Sequence, residues 1–294
     1  MMTSATLHFR HSTFASERRN FAVAMITAII LADRISPQIQ DTPPCLLPLE
    51  NESILSRIAR VVLRGPFGGT LIASRADIQA DIEEELQGYA VQHVKLPNDA
   101  APGSIAALAP ALKHAEDFRK RWEKARAAAA SRFGDDDDED DKESHDAKPA
   151  KKKSGAGGAA AAWPLHRKNA DVKVRGLARS FERDGVLLFH ADAPLIRPEL
   201  QAQLIEAFAR EAEKSAQPRP FAQCIAAGVR GWPLAIDARA VSELLALSPA
   251  TLLDDWLLTQ LARVQDVSVP DGTSLERVLV EADYLRIEGP ERKG

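Results

Sequence analysis

The sequence predicts an α/β protein built on a three-layer, mostly parallel sheet. The run "ITAIILA" at Ile26–Ala32 is continuously apolar and β-branched, which is typical of a strand covered on both faces. Similar short runs alternate along the chain with longer segments whose apolar residues recur at helical spacing, the pattern of parallel α/β sheets. Because such sheets bind ligands at the carboxyl ends of their strands, the strand ends are the candidate functional positions.

The elements in the first half of the chain each have a local justification. Short apolar runs between turn residues predict strands at 26–32, 69–74 and 90–96. Apolar residues at helical spacing predict helices at 53–65, 76–89 and 103–115. Gly65 ends the first of these helices, and Gly103 and Ser104 are plausible caps for the third. Strong helix formers with charged faces predict a further, exposed helix at 116–133.

The second half repeats the alternation. The same criteria predict strands at 185–191, 220–227 and 266–270. They predict helices at 198–215, 238–247 and 250–264. Pro198 lies in the first turn of its helix, where the N–H that proline lacks would have had no helical partner.

The segment between the two halves has a different composition. Residues 134–162 run from an acidic block through a lysine block into glycine and alanine. Such a segment has too few apolar side chains to offset its ordering entropy, so we predict a disordered insert. One discontinuous domain, formed by 25–133 and 163–288, is then expected. Residues 1–24 have some likeness to a transit peptide, but we favour a disordered extension.

Composition excludes several classes of function. A net charge of −4 argues against wholesale nucleic-acid binding. Two cysteines, Cys45 and Cys224, form neither a disulfide framework nor a metal-binding spacing, which fits a reducing compartment and a cytoplasmic location. We expect no membrane partner, because no apolar run approaches the roughly 20 residues of a membrane helix.

Asp192 is the most informative single residue. It follows the predicted strand 185–191, and a carboxylate at the end of a buried strand is costly unless something pairs with it. It is either a ligand-binding residue or a cap for the helix after Pro194. His190 shares its face of the strand and is either a ligand contact or, more commonly for such a position, a core residue.

Four stretches resemble motifs of one known family. They are "ITAIILADRISPQIQDTPPCLLPLE", "LPNDAAPGSIAALAPAL", "LLFHADAPLIRPEL" and "AAGVRGWPLAIDARAV". In this order they resemble the MobA-like nucleotidyltransferases, especially the molybdopterin cytidylyltransferase branch, over about residues 25–287 without the insert. The resemblance implies a Rossmann-like nucleotidyltransferase fold. It also implies transfer of CMP or GMP from a nucleoside triphosphate, with CTP favoured, to a phosphorylated pterin-type acceptor.

The resemblance also implies a set of site residues. The implied nucleotide-binding residues are Ala32, Arg34, Ser36, Asn98 and Gly103. The implied ligands of a nucleotide-bridging Mg²⁺ are Asp192 and Asp283, with Glu281 as the alternative to the latter. Such an ion would stabilise charge around the α-phosphorus. Arg230 and Gly231 are the implied acceptor-binding residues. Without a ligand, Arg230 could instead pair with a surface acid, and Ser36 could be a turn residue.

The phosphate loop departs from the family's pattern. Arg34 stands at the loop's glycine position, Asp33 precedes it, and Pro44 stands where the family has a lysine. The histidine of the family's R-G-H-P segment is replaced by Trp232. A second hypothesis is therefore a nucleotide-binding or scaffolding pseudoenzyme of the same fold, with a possible protein partner. A third is an unrelated α/β protein with chance similarity.

Overall fold

The computed structural model describes residues 25–34, 39, 41–133, 183–214, 217–270 and 272–291. The predicted N-terminal extension and the predicted insert at 134–162 lie outside the described residues, as does Ser36. None of the helices in the described part of the chain is long and apolar enough to cross a membrane.

A seven-stranded sheet forms the centre of the described structure. Its strands, in the order β5-β4-β1-β6-β8-β7-β9, are Gln92–Leu96 (β5), Gly69–Arg75 (β4), Ile26–Ala32 (β1), Gly185–His190 (β6), Val229–Asp237 (β8), Phe221–Ala226 (β7) and Val264–Ser268 (β9). All neighbouring strands pair in parallel except β8, which is antiparallel to both β6 and β7. Two short strands, Pro48–Leu49 (β2) and Glu52–Ser53 (β3), form a separate antiparallel pair. The predicted mostly parallel sheet is confirmed.

Helices cover both faces of this sheet. They are Ile54–Val62 (α1), Gln79–Glu85 (α2), Ile105–Phe133 (α3), Pro198–Lys214 (α4), Ala238–Leu245 (α5), Leu253–Thr259 (α6) and Glu281–Glu291 (α7). Alternate side chains of β1 point to opposite faces: Ile30 packs in the core under α1 and α4, whereas Ile29 packs in the core under α3 and α5. Two cores on one sheet make the three layers that the sequence predicts.

Strand β8 was not predicted, because its sequence has poor strand character. Its pairing with β7 shifts register between Gln223 and Cys224, which pair with Leu234 and Gly231. Trp232 and Pro233 therefore stand between the two paired stretches, with no partner on β7. Proline has no N–H to donate to a ladder, so it is tolerated where the ladder is interrupted. Because this short segment contains both glycine and proline, the sequence did not indicate a strand here.

Helix α3 is longer than predicted. The two helices expected at 103–115 and 116–133 form one continuous helix, Ile105–Phe133, with Pro110 inside it. The buried positions Leu108, Leu112 and Ala115 have helical spacing up to the predicted boundary, and the half-buried Phe118 and Arg119 continue it beyond that boundary. No residue at that boundary breaks the helix. The change from an apolar to a charged face therefore marks where the helix becomes exposed, and the helix itself continues.

Candidate functional site

The candidate site lies where β1 and β6 end side by side. The two strands are parallel, with Leu31 level with His190, and the N–H of Ala191 donates to the carbonyl of Leu31 at 2.9 Å. The residues that follow each strand therefore meet at one edge of the sheet, Asp33 and Arg34 after β1 and Asp192 after β6. This is the edge at which such sheets bind ligands.

Asp192 is paired with an arginine near the other end of the chain. Arg277 donates from Nε to Oδ1 of Asp192 at 2.7 Å and from Nη2 to Oδ2 at 2.8 Å. The N–H of Val278 also donates to the main-chain carbonyl of Asp192 at 2.8 Å. The side chain of Asp192 is 5% exposed, and this bidentate pair offsets the cost of burying its charge.

A second guanidinium lies beside the same carboxylate. Nε of Arg34 is 3.8 Å from Oδ2 of Asp192, and the Arg34 side chain is 34% exposed. That nitrogen is itself buried and has no hydrogen-bond partner among the described residues. Two arginines thus converge on one aspartate, and one of them has an unused donor inside the protein.

Asp33 ties the end of β1 to the start of α3. One of its oxygens accepts from the N–H of Gly103 at 2.7 Å. Burial raises the pKa of Asp33 above its usual 3.8, and the bond from Gly103 and the charge of Arg277 oppose that shift. Gly103 has φ of +73°, a conformation that suits glycine. The predicted cap Ser104 accepts from the N–H of Ala107, as a helix cap does.

His190 is a buried histidine with unused nitrogens. In the part of the chain that the structure describes, neither Nδ1 nor Nε2 has a hydrogen-bond partner. Its ring lies against Trp232, with centroids 4.0 Å apart. Burial, with the positive charges of Arg277 and Arg34, lowers the pKa of His190 well below 6.5. The ring is therefore neutral at physiological pH, and one nitrogen can accept a hydrogen bond.

In the structure the two implied metal ligands, Asp192 and Asp283, are each held by other contacts. Oδ2 of Asp283 accepts from the N–H groups of Leu279 and Val280 at 3.0 and 3.1 Å, and Oδ1 is 3.4 Å from Arg286. These bonds fix the start of α7. Both oxygens of Asp192 face Arg277, where a cation would meet guanidinium charge instead of free ligands. Within the described ranges no group of three or more His, Cys, Asp or Glu could hold a metal ion.

The other implied site residues are held in structural contacts. Arg230 donates from Nε and Nη2 to Asp266 at 2.8 and 2.7 Å, the pairing with a surface acid that was the alternative for this residue. Gly231 lies so close to Leu275 that a Cβ on it would be 2.9 Å from the Leu275 Cβ. Oδ1 of Asn98 accepts from the N–H of Ala76 at 2.9 Å, which joins the loops after β5 and β4. Ala32 is the buried last residue of β1.

Arg277 is the site residue that the sequence did not reveal. The need for a partner at Asp192 was visible, because a buried carboxylate must be compensated. Which cation compensates it was not, because Arg277 lies 85 residues further along the chain in a segment without a motif.

Comparison with known proteins identifies the fold. No protein-family model and no curated protein sequence matches the chain. Among solved structures, a nucleotidyl transferase from Methanothermobacter matches with a TM-score of 0.55 and 18% identity, covering 92% of this chain and 99% of that one. Rv0371c from Mycobacterium tuberculosis in complex with manganese matches with a TM-score of 0.52 and 15% identity, covering 90% and 99%.

A third structure extends the comparison. The CMP:2-keto-3-deoxy-manno-octonic acid synthetase complexed with CTP matches with a TM-score of 0.53 and 10% identity, covering 92% of this chain and 99% of that one. At these identities the likeness is one of fold. The chain has the Rossmann-like fold of nucleotidyltransferases, and the predicted fold class is confirmed.

Proposed function

We propose that this protein binds a nucleoside triphosphate at the carboxyl ends of β1 and β6 and transfers its nucleoside monophosphate to a small acceptor. The observation that carries this proposal is the pair of arginines, Arg34 and Arg277, around Asp192 at that edge. The buried Nε of Arg34 and both nitrogens of His190 lack hydrogen-bond partners among the described residues. Buried polar groups without partners are rare in native proteins, and at this edge they are suited to a bound ligand.

The chemistry needs positive charge more than it needs reacting side chains. An oxygen of the acceptor attacks the α-phosphorus, the bond to the β-phosphate oxygen breaks, and pyrophosphate leaves. Fixed cations that offset charge on the phosphate oxygens lower the barrier to such a transfer. Arg34 and Arg277 are placed to supply this charge, Asp192 positions Arg277, and neutral His190 can accept a hydrogen bond from the ligand.

The identities of base and acceptor are finer proposals. Cytosine is favoured by the resemblance to cytidylyltransferases, and the CTP complex of a protein with the same fold supports it. A phosphorylated pterin-type acceptor is supported by the resemblance alone. Arg230 and Gly231 are proposed for the acceptor side on the resemblance alone; Arg230 is paired with Asp266, and Gly231 packs against Leu275.

A second candidate function is binding without turnover. It is favoured by one observation: the loop after β1 carries Asp33 and Arg34 at positions where glycines would let the backbone approach a triphosphate. The two functions differ in a single measurement, the release of pyrophosphate when CTP and molybdopterin are supplied together. Release supports transfer, whereas tight binding without release supports the pseudoenzyme.

Thermal unfolding with CTP, GTP, ATP and UTP in turn tests the binding on which both functions depend. A ligand at about 100 times its dissociation constant adds about 2.7 kcal/mol, a rise of several degrees in Tm for a protein of this size. We expect one nucleotide to give this rise and Arg34→Gln to reduce it. Arg263→Gln, which breaks an exposed pair with Glu243, is the control and leaves the rise intact. A protein that none of the four nucleotides stabilises does not have the proposed function.

A further inference from the structure

We propose that the Arg277 guanidinium takes the place of a divalent cation at this site, so that phosphate groups bind to Arg277 and Arg34 without a metal ion. For nucleotides this inference rests on the proposed function. For inorganic phosphates it stands on the geometry of Asp192 and the two arginines. It predicts a property that the fold does not imply, which is nucleotide binding that persists when divalent cations are removed.

The first support is that both oxygens of Asp192 are already hydrogen-bonded to Arg277. Its two oxygens accept from Nε and Nη2 of Arg277 at 2.7 and 2.8 Å, and its side chain is 5% exposed. This is the parallel two-bond geometry in which arginine and carboxylate fit each other best. A cation that bound these oxygens in the same plane would have to displace Arg277 from both hydrogen bonds.

The second support is that Arg277 is held in place by the fold. The neighbouring Val278 is fully buried, and its N–H donates to the main-chain carbonyl of Asp192 at 2.8 Å. Two residues earlier, Leu275 packs directly against Gly231 of β8. Contacts on both sides fix the backbone of Arg277, so its guanidinium is preorganised for a ligand at little entropic cost.

The third support is the donors that remain. Nη1 of Arg277 has no acceptor in the described part of the chain, and its side chain is 17% exposed. Nε of Arg34 forms a 3.8 Å ion pair with Asp192 and is buried without a hydrogen-bond partner among the described residues. Phosphate oxygens are the acceptors that arginine binds most strongly, and the guanidiniums of Arg277 and Arg34 lie together at Asp192, with Asp33 as a second carboxylate nearby.

The test compares binding with and without divalent cations. Thermal unfolding and calorimetric titration of the full chain are run with CTP, GTP, ATP and UTP and with inorganic pyrophosphate, each in EDTA and in Mg²⁺. We expect the same affinity in both conditions. Removing charged hydrogen bonds costs on the order of 10- to 100-fold in affinity, so Arg277→Gln should bind that much more weakly. Arg263→Gln, which removes an arginine from a similar two-bond pair remote from the site, should bind as the natural chain does.

Each outcome of this comparison is decisive. Binding that appears only with Mg²⁺ overturns the inference and leaves the proposed function standing. Binding of pyrophosphate in EDTA without binding of any nucleotide overturns the proposed function and supports the arginine site. No binding of either ligand overturns both. If Arg277→Gln does not fold, the double variant Asp192→Asn/Arg277→Gln removes both charges, and the two conditions with the natural chain already discriminate.

Discussion

His190 and Arg183 are both buried polar residues, but their surroundings have opposite effects on a positive charge: those of Arg183 stabilise it and those of His190 disfavour it. Arg183 is surrounded by acceptors: Nε donates to Asp237 at 2.6 Å, and its other nitrogens donate to the carbonyls of Phe208 and Arg219. His190 has no acceptor among the described residues and lies near two arginines. The surroundings of Arg183 therefore stabilise a charged side chain, whereas those of His190 favour the neutral ring.

The exclusion of charge from His190 predicts how stability depends on pH. The pKa of His190 is lowered in the folded protein, so unfolding lets the ring take up a proton below its usual 6.5. Stability attributable to His190 is therefore fully present above pH 6.5 and is lost as pH falls from 6.5 towards the lowered pKa, by up to about 1.4 kcal/mol per pH unit. We expect His190→Phe, which keeps a ring against Trp232, to flatten this loss.

Chemical denaturation at pH 5, 6, 7 and 8 measures this loss of stability with falling pH. The control is His114→Gln. It replaces a histidine whose Nε2 is 3.0 Å from Oε1 of Gln92, a residue of the edge strand β5. That variant should lose stability with falling pH as the natural chain does. A parallel loss in the natural chain and in His190→Phe would mean that another group is responsible.

The saturated surroundings of Arg183 predict a large cost for removing it. Arg183→Leu leaves the buried carboxylate of Asp237 without its partner, which typically costs about 3–5 kcal/mol. It also removes the guanidinium that lies 4.0 Å over the Phe208 ring. Urea denaturation measures the change. Arg263→Leu breaks an equally well-formed but exposed pair and should cost about 1 kcal/mol or less, so equal losses in the two variants would contradict this account of Asp237.

At the scale of elements, strand β8 determines how closely the segment 272–280 approaches the site. Being antiparallel to β6, β8 begins at the edge of the sheet where β1 and β6 end. Gly231 near its start allows Leu275 to pack against the backbone, two residues before Arg277. A glycine that the resemblance assigned to acceptor binding thus has a packing reason of its own.

This close approach predicts the effect of one added methyl group. In Gly231→Ala the new Cβ would lie 2.9 Å from the Leu275 Cβ, so the segment must move, at a cost of about 1–3 kcal/mol. Because Arg277 moves with it, we also expect weaker binding of pyrophosphate. Calorimetry and thermal unfolding measure the two effects. Gly289→Ala is the control, since no atom lies within 4 Å of its new Cβ, and unchanged binding in Gly231→Ala would show that Leu275 does not position Arg277.

The sequence predicted elements well where one local rule sufficed. Strands β1 and β6 are continuous apolar runs, and Ser104 is a cap residue ahead of apolar helical spacing, so each was identified before the structure. Strand β8 was missed because Pro233 suggested a break that the tertiary structure accommodates. The length of α3 was missed because its apolar face gives way to charged residues after Ala115. Patterns within one segment of the sequence cannot show which irregularities its tertiary contacts will tolerate.

At the scale of the whole molecule, the sheet joins two parts of the chain along one seam. The residues before 134 supply β5, β4 and β1, and the residues after 182 supply β6, β8, β7 and β9. The seam is the parallel pair β1–β6, six residue pairs long from Ile26–Gly185 to Leu31–His190, with both faces of each strand buried. Each part alone would expose an apolar edge strand, a feature that promotes association.

We therefore expect the two parts to assemble when they are made separately. Segments 25–133 and 183–294, co-expressed with a tag on one, should copurify as one complex. Ile29→Asp in the first segment buries an unpaired carboxylate in the core beneath β1 and should abolish copurification. Efficient copurification of the Ile29→Asp segment would contradict assembly through this seam.

The site was predictable only as far as the sheet was. A strand end located Asp192, the resemblance implied Arg34 and Gly103, and the structure brings these three to one edge of the sheet. The partner of Asp192 came from a segment whose position is set by packing on β8 and by the hydrogen bond from Val278 to Asp192. Such long-range placement leaves no periodic trace in the sequence.

The pairing of Asp192 with Arg277 also has a kinetic consequence. The pair closes a loop of 85 residues, and the bond from Gly103 to Asp33 closes one of 70. We expect both contacts to form after β1 and β6 have paired, because Asp33 and Asp192 are positioned by the ends of those strands. A folding intermediate with its sheet assembled but its C-terminal segment undocked would have native-like circular dichroism and no anion affinity. During refolding, pyrophosphate affinity should therefore recover after secondary structure. The delay between the two signals measures how long that segment takes to dock.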